Sequence, residues 1–250
     1  MGVNGAATEW VRVLRSEPSP DRRLVCLPPG GASAPYYRTL SRHIGPGVEV
    51  SAVQYPGRQD RLGDPFVTDL HVLADRIAAA LLARPGSQRV LFGHSMGATV
   101  AYETALRLDA AGEPVRALIV SGRPAPSFPE TGTLHRADDS ALIDDLERLA
   151  SDPASVAVLR TEPGLAELVL PALRADYQAV ETYRQRPGAV LRCPVLALVS
   201  TEDPTTTVAQ AERWREVTDG EFAVRTFPGG HFYLDDQPAA VAEAITPHLS

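Results

Sequence analysis

Gly93-His94-Ser95-Met96-Gly97 is the segment of this chain best suited to chemistry. It matches G-x-S-x-G and lies between an apolar run, Val90-Leu91-Phe92, and a helical pattern over Gly97–Ala111. In that context the serine sits on a sharp strand-to-helix bend with its hydroxyl exposed. A glycine on each side lets the strand and helix approach closely. The helix N-terminus adds backbone N–H groups and the positive end of a dipole, which suit a developing oxyanion. The chemistry to expect is attack by Ser95 on an acyl carbonyl.

Such a serine needs a general base. Of the six histidines, His94 adjoins the serine, and its side chain is expected to point elsewhere. His43, His71 and His135 lie before or within helical segments, and His248 is near the end of the chain. His231 follows Pro228-Gly229-Gly230, directly after a strand-like run at Phe222–Phe227. A loop at a strand's C-terminal end is where doubly wound sheets keep their sites, so His231 is the expected base. The acid that orients it should lie between serine and histidine in the chain. Asp203, just after the run Val195–Ser200, fits; Glu202 is its rival, and Asp235 and Asp236 come too late. One oxyanion donor should be the backbone N–H of Met96. The other should come from the loop Pro28-Pro29-Gly30-Gly31-Ala32-Ser33. Its prolines have no N–H, which leaves Gly30 first and Gly31 as the alternative.

Alternating elements are expected to position these groups. Apolar runs at Leu24–Leu27, Val48–Val53, Arg89–Phe92, Arg116–Ser121, Val195–Ser200 and Phe222–Phe227 predict strands. Helical spacing covers Phe66–Arg84, Gly97–Ala111 and Asp236–Leu249, with Pro238 in the first turn of the last. This rhythm predicts a mostly parallel sheet with helices on both faces. The segment 124–187 breaks it, with helical patterns at Asp139–Ala150, Ala154–Arg160 and Leu165–Arg186. Pro171 should kink the last helix or start a fresh one. The acidic cluster Asp138, Asp139, Asp144, Asp145 and Glu147 reads as a solvated face. The expected organisation is one domain, with a core at about 20–123 and 188–250 and a helical insertion at about 124–187.

Composition narrows the chemistry. All 24 basic residues are Arg, against 31 acidic ones, for a net charge of −7. Without Lys there is no lysine Schiff base, P-loop lysine or kinase-type phosphate lysine. The acidic balance argues against general nucleic-acid binding. Cys26 and Cys193 fall in or beside strand-like runs and are expected to be buried thiols, without zinc-ligand spacing. Met1–Trp10 has no basic segment followed by an apolar run, and Ala6 stands where a myristoylation signal wants Ser or Thr. No apolar stretch is long enough to span a bilayer. A cytoplasmic protein is expected.

Taken together, these motifs resemble the type II thioesterases of polyketide and non-ribosomal peptide assembly lines, within the α/β-hydrolase superfamily. The resemblance spans Pro-Pro-Gly-Gly-Ala-Ser with Tyr37, Gln54-Tyr55-Pro56-Gly57-Arg58, and the serine turn with Ala101-Tyr102-Glu103. It continues through Ser121-Gly122-Arg123, Pro171-Ala172-Leu173-Arg174-Ala175-Asp176-Tyr177, Glu181 and Tyr183. It ends with Cys193-Pro194-Val195, Asp203-Pro204, Trp214 and Pro228-Gly229-Gly230-His231-Phe232-Tyr233. Relatives often carry His-Ala-Gly-Gly-Ser where this chain has Pro-Gly-Gly-Ala-Ser. The resemblance implies an α/β-hydrolase fold in which 124–187 is a lid. It implies a Ser95–His231–Asp203 triad that hydrolyses acyl groups from the phosphopantetheine arm of acyl or peptidyl carrier proteins. It implies a monomer with no cofactor, no metal, no nucleic acid and no membrane partner. Within Arg174–Tyr177, ion pairing that pins the lid and substrate contact are both open. A product-releasing or medium-chain acyl thioesterase, or a general carboxylesterase, would share these residues.

Overall fold

A computed structural model describes residues 9–84 and 88–249. Most of the N-terminal segment Met1–Trp10 lies outside the described residues. The strands are β1 (Val11–Arg15), β2 (Arg22–Leu27), β3 (Val48–Val53), β4 (Gln88–His94), β5 (Ala117–Ser121), β6 (Val195–Ser200) and β7 (Phe222–Phe227). The helices are α1 (Arg38–His43), α2 (Leu70–Leu82), α3 (Met96–Ala110), α4 (Asp139–Leu149), α5 (Pro153–Thr161), α6 (Pro163–Glu181), α7 (Val208–Glu212), α8 (Tyr233–Asp236) and α9 (Pro238–Ile245).

The strands form one seven-stranded sheet in the order β1-β3-β2-β4-β5-β6-β7. Only β1 runs antiparallel, against β3. Along β2, Leu24 and Cys26 face one side, where they pack with Leu40 of α1 and Val241 and Ile245 of α9. Val25 and Leu27 face the other side, with Leu73 and Ile77 of α2 and Val100 of α3. This period-two alternation with apolar residues on both faces buries the strand completely. Strand order reverses between β2 and β4, so the chain leaves these neighbours in opposite directions. A crevice opens at their carboxyl ends, the usual ligand position in such sheets.

The structure departs from the sequence expectations at several elements. Strand β1 was not anticipated. It is an edge strand in which Val13 is 46% exposed, so its apolar residues do not mark a buried face. Helix α2 starts at Leu70, later than expected, because the Asp69 side chain caps it by accepting the Val72 N–H. Pro171 neither ends nor restarts a helix, since α6 runs through it from Pro163 to Glu181. Leu170 and Leu173, on either side of Pro171, are buried against Leu142, Ile143 and Leu159 of α4 and α5. That packing offsets the missing backbone hydrogen bond at Pro171. The closing segment is divided, with α8 before Gln237 and α9 beginning at Pro238.

The acidic cluster is more than a solvated face. Asp138 caps α4. Asp139 pairs with Arg174 at 2.6 Å. Asp144 and Glu147 both pair with Arg160. Cys26 and Cys193 are both buried free thiols. Among the described residues, no helix is long and apolar enough to cross a membrane.

Candidate active site

Ser95 stands at the N-cap position of α3 directly after β4, with φ 54° and ψ −124° and no side-chain capping bond. This is left-handed backbone territory that costs a non-glycine residue of order 1–2 kcal/mol. The flanking glycines make the turn possible. A Cβ on Gly93 would lie 2.1 Å from the Gly97 carbonyl oxygen, and one on Gly97 would lie 2.0 Å from the Leu27 oxygen. The Ser95 N–H donates to the Ser121 carbonyl at 2.8 Å, which fixes the turn to the end of β5.

His231, which lines the same cleft as Ser95, meets Asp203 Oδ2 through Nδ1 at 2.9 Å. Both side chains are buried, at 2% and 0% exposure. Asp203 Oδ1 accepts from the Thr205 N–H at 2.8 Å and from its hydroxyl at 2.7 Å. Burial works to raise the Asp203 carboxyl. The hydrogen bonds and charge from His231, with the bonds from Thr205, outweigh it, so Asp203 titrates below the ordinary carboxylate value. Glu202 is exposed, and its N–H donates to the Gly229 carbonyl. Of the two sequence candidates for the acid, Asp203 is the one that pairs with His231.

Ser95, Met96, His231 and Gly30 line one cleft of about 70 Å³, walled by Leu146, Leu173 and other residues of α4 and α6. A neighbouring chamber of about 410 Å³ shares Gly30, Leu146, Leu173 and Phe232 with it. Gly30 and Gly31 also part company. The Gly31 N–H is donated to Asp176 Oδ2 at 2.7 Å, so it is not free to meet a substrate oxygen.

His94 does not line the cleft, in keeping with the expectation that its side chain points elsewhere. Its ring packs against His231 instead, with the two centroids 4.9 Å apart. His94 Nδ1 meets Ser121 Oγ at 2.9 Å, and that hydroxyl meets the Tyr233 hydroxyl at 2.7 Å. Burial first, and the neighbouring His231 second, push His94 well below the usual imidazole value. His94 is therefore a neutral packing partner for His231 at neutral pH. Gly122, at φ +58°, leaves it room, since a Cβ there would lie 2.7 Å from His94 Cε1.

Two further motif residues meet at the site. Arg58 donates to Asp176 through both terminal nitrogens, at 2.7 and 2.9 Å. Burial works to lower the Arg58 pKa, but Asp176 outweighs it and Arg58 titrates above its ordinary value. The sequence left ion pairing and substrate contact both open within Arg174–Tyr177; Asp176 makes an ion pair, with Arg58, a partner that the sequence did not name. Arg174, by contrast, lies outside the cleft lining and ties α6 to the start of α4 and the segment before it. It donates to the His135 carbonyl at 3.1 Å and to Asp139 at 2.6 Å.

A buried Asp–His pair that shares a cleft with a serine on a strained turn, at the carboxyl ends of a parallel sheet, is hydrolase architecture. Residues 22–249 match the Thioesterase domain family, and the chain belongs to that family. It is similar to the "Probable cadicidin biosynthesis thioesterase" of Streptomyces griseus, with 42% identity over 99% of this chain and 68% of that one. It is also similar to "Thioesterase PikA5" of Streptomyces venezuelae, with 42% identity over 96% of this chain and 85% of the other. Among solved structures, the type II thioesterase BorB of the borrelidin biosynthetic cluster superposes with a TM-score of 0.87 at 42% identity. That match covers 96% of this chain and 98% of BorB. The fold is accordingly that of the α/β-hydrolase thioesterases, and the chain is a thioester hydrolase.

Proposed function

We propose that this chain is an editing thioesterase that hydrolyses aberrant or stalled acyl groups from the phosphopantetheine arm of carrier proteins in polyketide or peptide biosynthesis. The observation that carries the reading is the Asp203–His231 pair, which shares its cleft with a serine held on a strained turn. The relatives' association with biosynthetic clusters extends it from thioesters in general to carrier-bound ones.

In the first half of the reaction, His231 takes the Ser95 proton as Oγ attacks the thioester carbonyl. The buried Asp203 carboxylate stabilises the imidazolium and holds its tautomer. The N–H groups of Met96 and Gly30 receive the oxyanion. The tetrahedral intermediate collapses, the C–S bond breaks, and His231 returns its proton to the departing thiolate. In the second half, His231 takes a proton from water, which attacks the acyl-enzyme. The free acid leaves and Ser95 regains its proton. Helices α4–α6 act as a lid over the cleft, and their apolar side chains suit an acyl chain.

A substrate panel tests this reading. Purified protein is offered short acyl groups on carrier proteins, beside acyl-coenzyme A and oxygen-ester analogues. Broad hydrolysis of carrier-bound thioesters is expected. Preference for a single mature product would point to product release. Turnover of oxygen esters without carrier-bound substrates would contradict the proposal.

A further inference from the structure

Asp176 lies on α6, 145 residues from Gly31 in the chain, yet its carboxylate is built into the loop that should receive the oxyanion. Oδ2 accepts the Gly31 N–H and one Arg58 nitrogen, each at 2.7 Å. Oδ1 accepts the other Arg58 nitrogen at 2.9 Å. Arg58 also donates to the Ala32 carbonyl at 3.0 Å, and the Ala32 N–H closes a turn onto the Pro29 carbonyl at 3.1 Å. Gly30 is thus enclosed by a loop clamped at Gly31 and Ala32. A Cβ on Gly30 would lie 3.6 Å from Asp176 Cβ.

This arrangement answers a physical problem. Two consecutive glycines give the loop more backbone freedom than any other pair, and Gly31 sits at φ +76°. A donor on such a loop is not preorganised unless the peptide beside it is held. Preorganisation is the source of oxyanion stabilisation, because a donor that must reorient during the reaction gives up part of its effect. A bare carboxylate in this place would repel the developing negative charge. The bidentate Arg58 neutralises it while leaving its hydrogen-bond acceptance intact. The Asp176 side chain is 4% exposed and that of Arg58 is 9%, so solvent does little to screen the pair.

We propose that Asp176 is a positioning residue for the oxyanion hole, holding the Gly30-Gly31 loop so that the Gly30 N–H is aimed when α6 is seated over the cleft. The inference rests on the proposed catalytic role of Ser95. It makes the hole dependent on the lid: withdrawing α6 removes the Gly31 anchor and the partner of Arg58 together.

The test compares wild type, Asp176→Ala, Asp176→Asn and the double variant Arg58→Met/Asp176→Ala, with Ser95→Ala as the catalytic control. The double variant removes both charges, so no ion is left buried without its partner. Asp176→Asn keeps the side-chain shape should the truncations fail to fold. Folding is checked by circular dichroism. Activity is read as kcat and KM, with inhibition by an alkyl boronic acid, whose tetrahedral adduct on serine places an oxygen in the hole. Removing one oxyanion donor outright costs roughly 10²–10³ in kcat. Loss of its positioning is expected to cost about tenfold or more, with KM within about threefold and boronate affinity weakened in step. The double variant should remain impaired. Recovery of kcat in the double variant would overturn the proposal, because the defect would then come from an orphaned Arg58 charge. Unchanged boronate affinity would overturn it too. Activity retained in Ser95→Ala would instead overturn the underlying catalytic reading.

Discussion

Asp203 and Glu202 are neighbours with different surroundings, and their variants should separate cleanly. Asp203→Asn keeps the size but loses the charge and the acceptor that hold the His231 tautomer. A loss of about 10³–10⁴ in kcat is expected. Glu202→Gln, at an exposed site, should stay within about twofold of wild type in the same steady-state assay. His94 gives a stability expectation. In the unfolded chain it takes a proton near its ordinary value of about 6.5, whereas folded it resists protonation well below that. Between the two values the unfolded state binds more protons, so stability falls as pH drops. The urea midpoint should therefore be lower at pH 5.5 than at pH 7.5, and His94→Gln should shrink the difference. His248, lowered chiefly by burial, acts in the same direction and will leave a residual slope. The lowered Asp203 carboxyl loses its contribution only in the acid range below this window. An unchanged slope in His94→Gln would show that His94 protonates freely in the folded protein.

At the scale of elements, the β4–α3 junction sets the tightest constraint. A Cβ on Gly97 meets the backbone oxygens of Leu27 and Pro28 at 2.0 and 2.7 Å, and backbone cannot swing aside as a side chain can. Gly97→Ala is expected to cost about 3 kcal/mol or more in denaturant unfolding and to displace Ser95. Gly112→Ala, at φ +80° in open space, should cost about 1–2 kcal/mol and leave activity intact. Equal costs at the two glycines would contradict this account of the turn. The strands were legible where burial on both faces leaves an unbroken apolar run, as in Val195–Ser200. Strand β1 was not, because its short stretch Val11–Arg15 intersperses apolar residues with arginines and has no such run. Helix α6 was legible in its spacing but not in its continuity, since whether a helix survives Pro171 depends on packing from α4 and α5. In the candidate site, the meeting of Ser95 and His231 in one cleft was legible because each follows a strand at its carboxyl end. The packing of the His94 ring against His231 was not, because it joins residues far apart in the chain and sequence spacing does not encode it. The Asp176–Gly31 contact joins elements far apart in the chain, and no local pattern reports it.

At the scale of the whole molecule, the sheet order concentrates chemistry at one end. The reversal between β2 and β4 places the Gly30-Gly31 loop beside the serine turn, and β6 and β7 bring Asp203 and His231 to the same edge. Helices α4–α6, inserted between β5 and β6, cover that edge and reach it through Leu173 and Asp176. The absence of Lys fits this design, because a hydroxyl, an imidazole, a carboxylate and backbone amides complete the proposed site. The net charge of −7 means that a carrier protein of acidic surface would gain nothing from overall attraction, so recognition would rest on local arginines and apolar contact near the cleft. The most direct measurement of the central claim is the intact mass of an acyl-loaded carrier protein, followed over time with wild-type protein and with Ser95→Ala. The account predicts that wild type converts the acyl form to the free-thiol form with release of the acid, while Ser95→Ala, correctly folded, leaves the acyl mass unchanged. An acyl mass that persists with wild type, or disappears equally fast with Ser95→Ala, would contradict it.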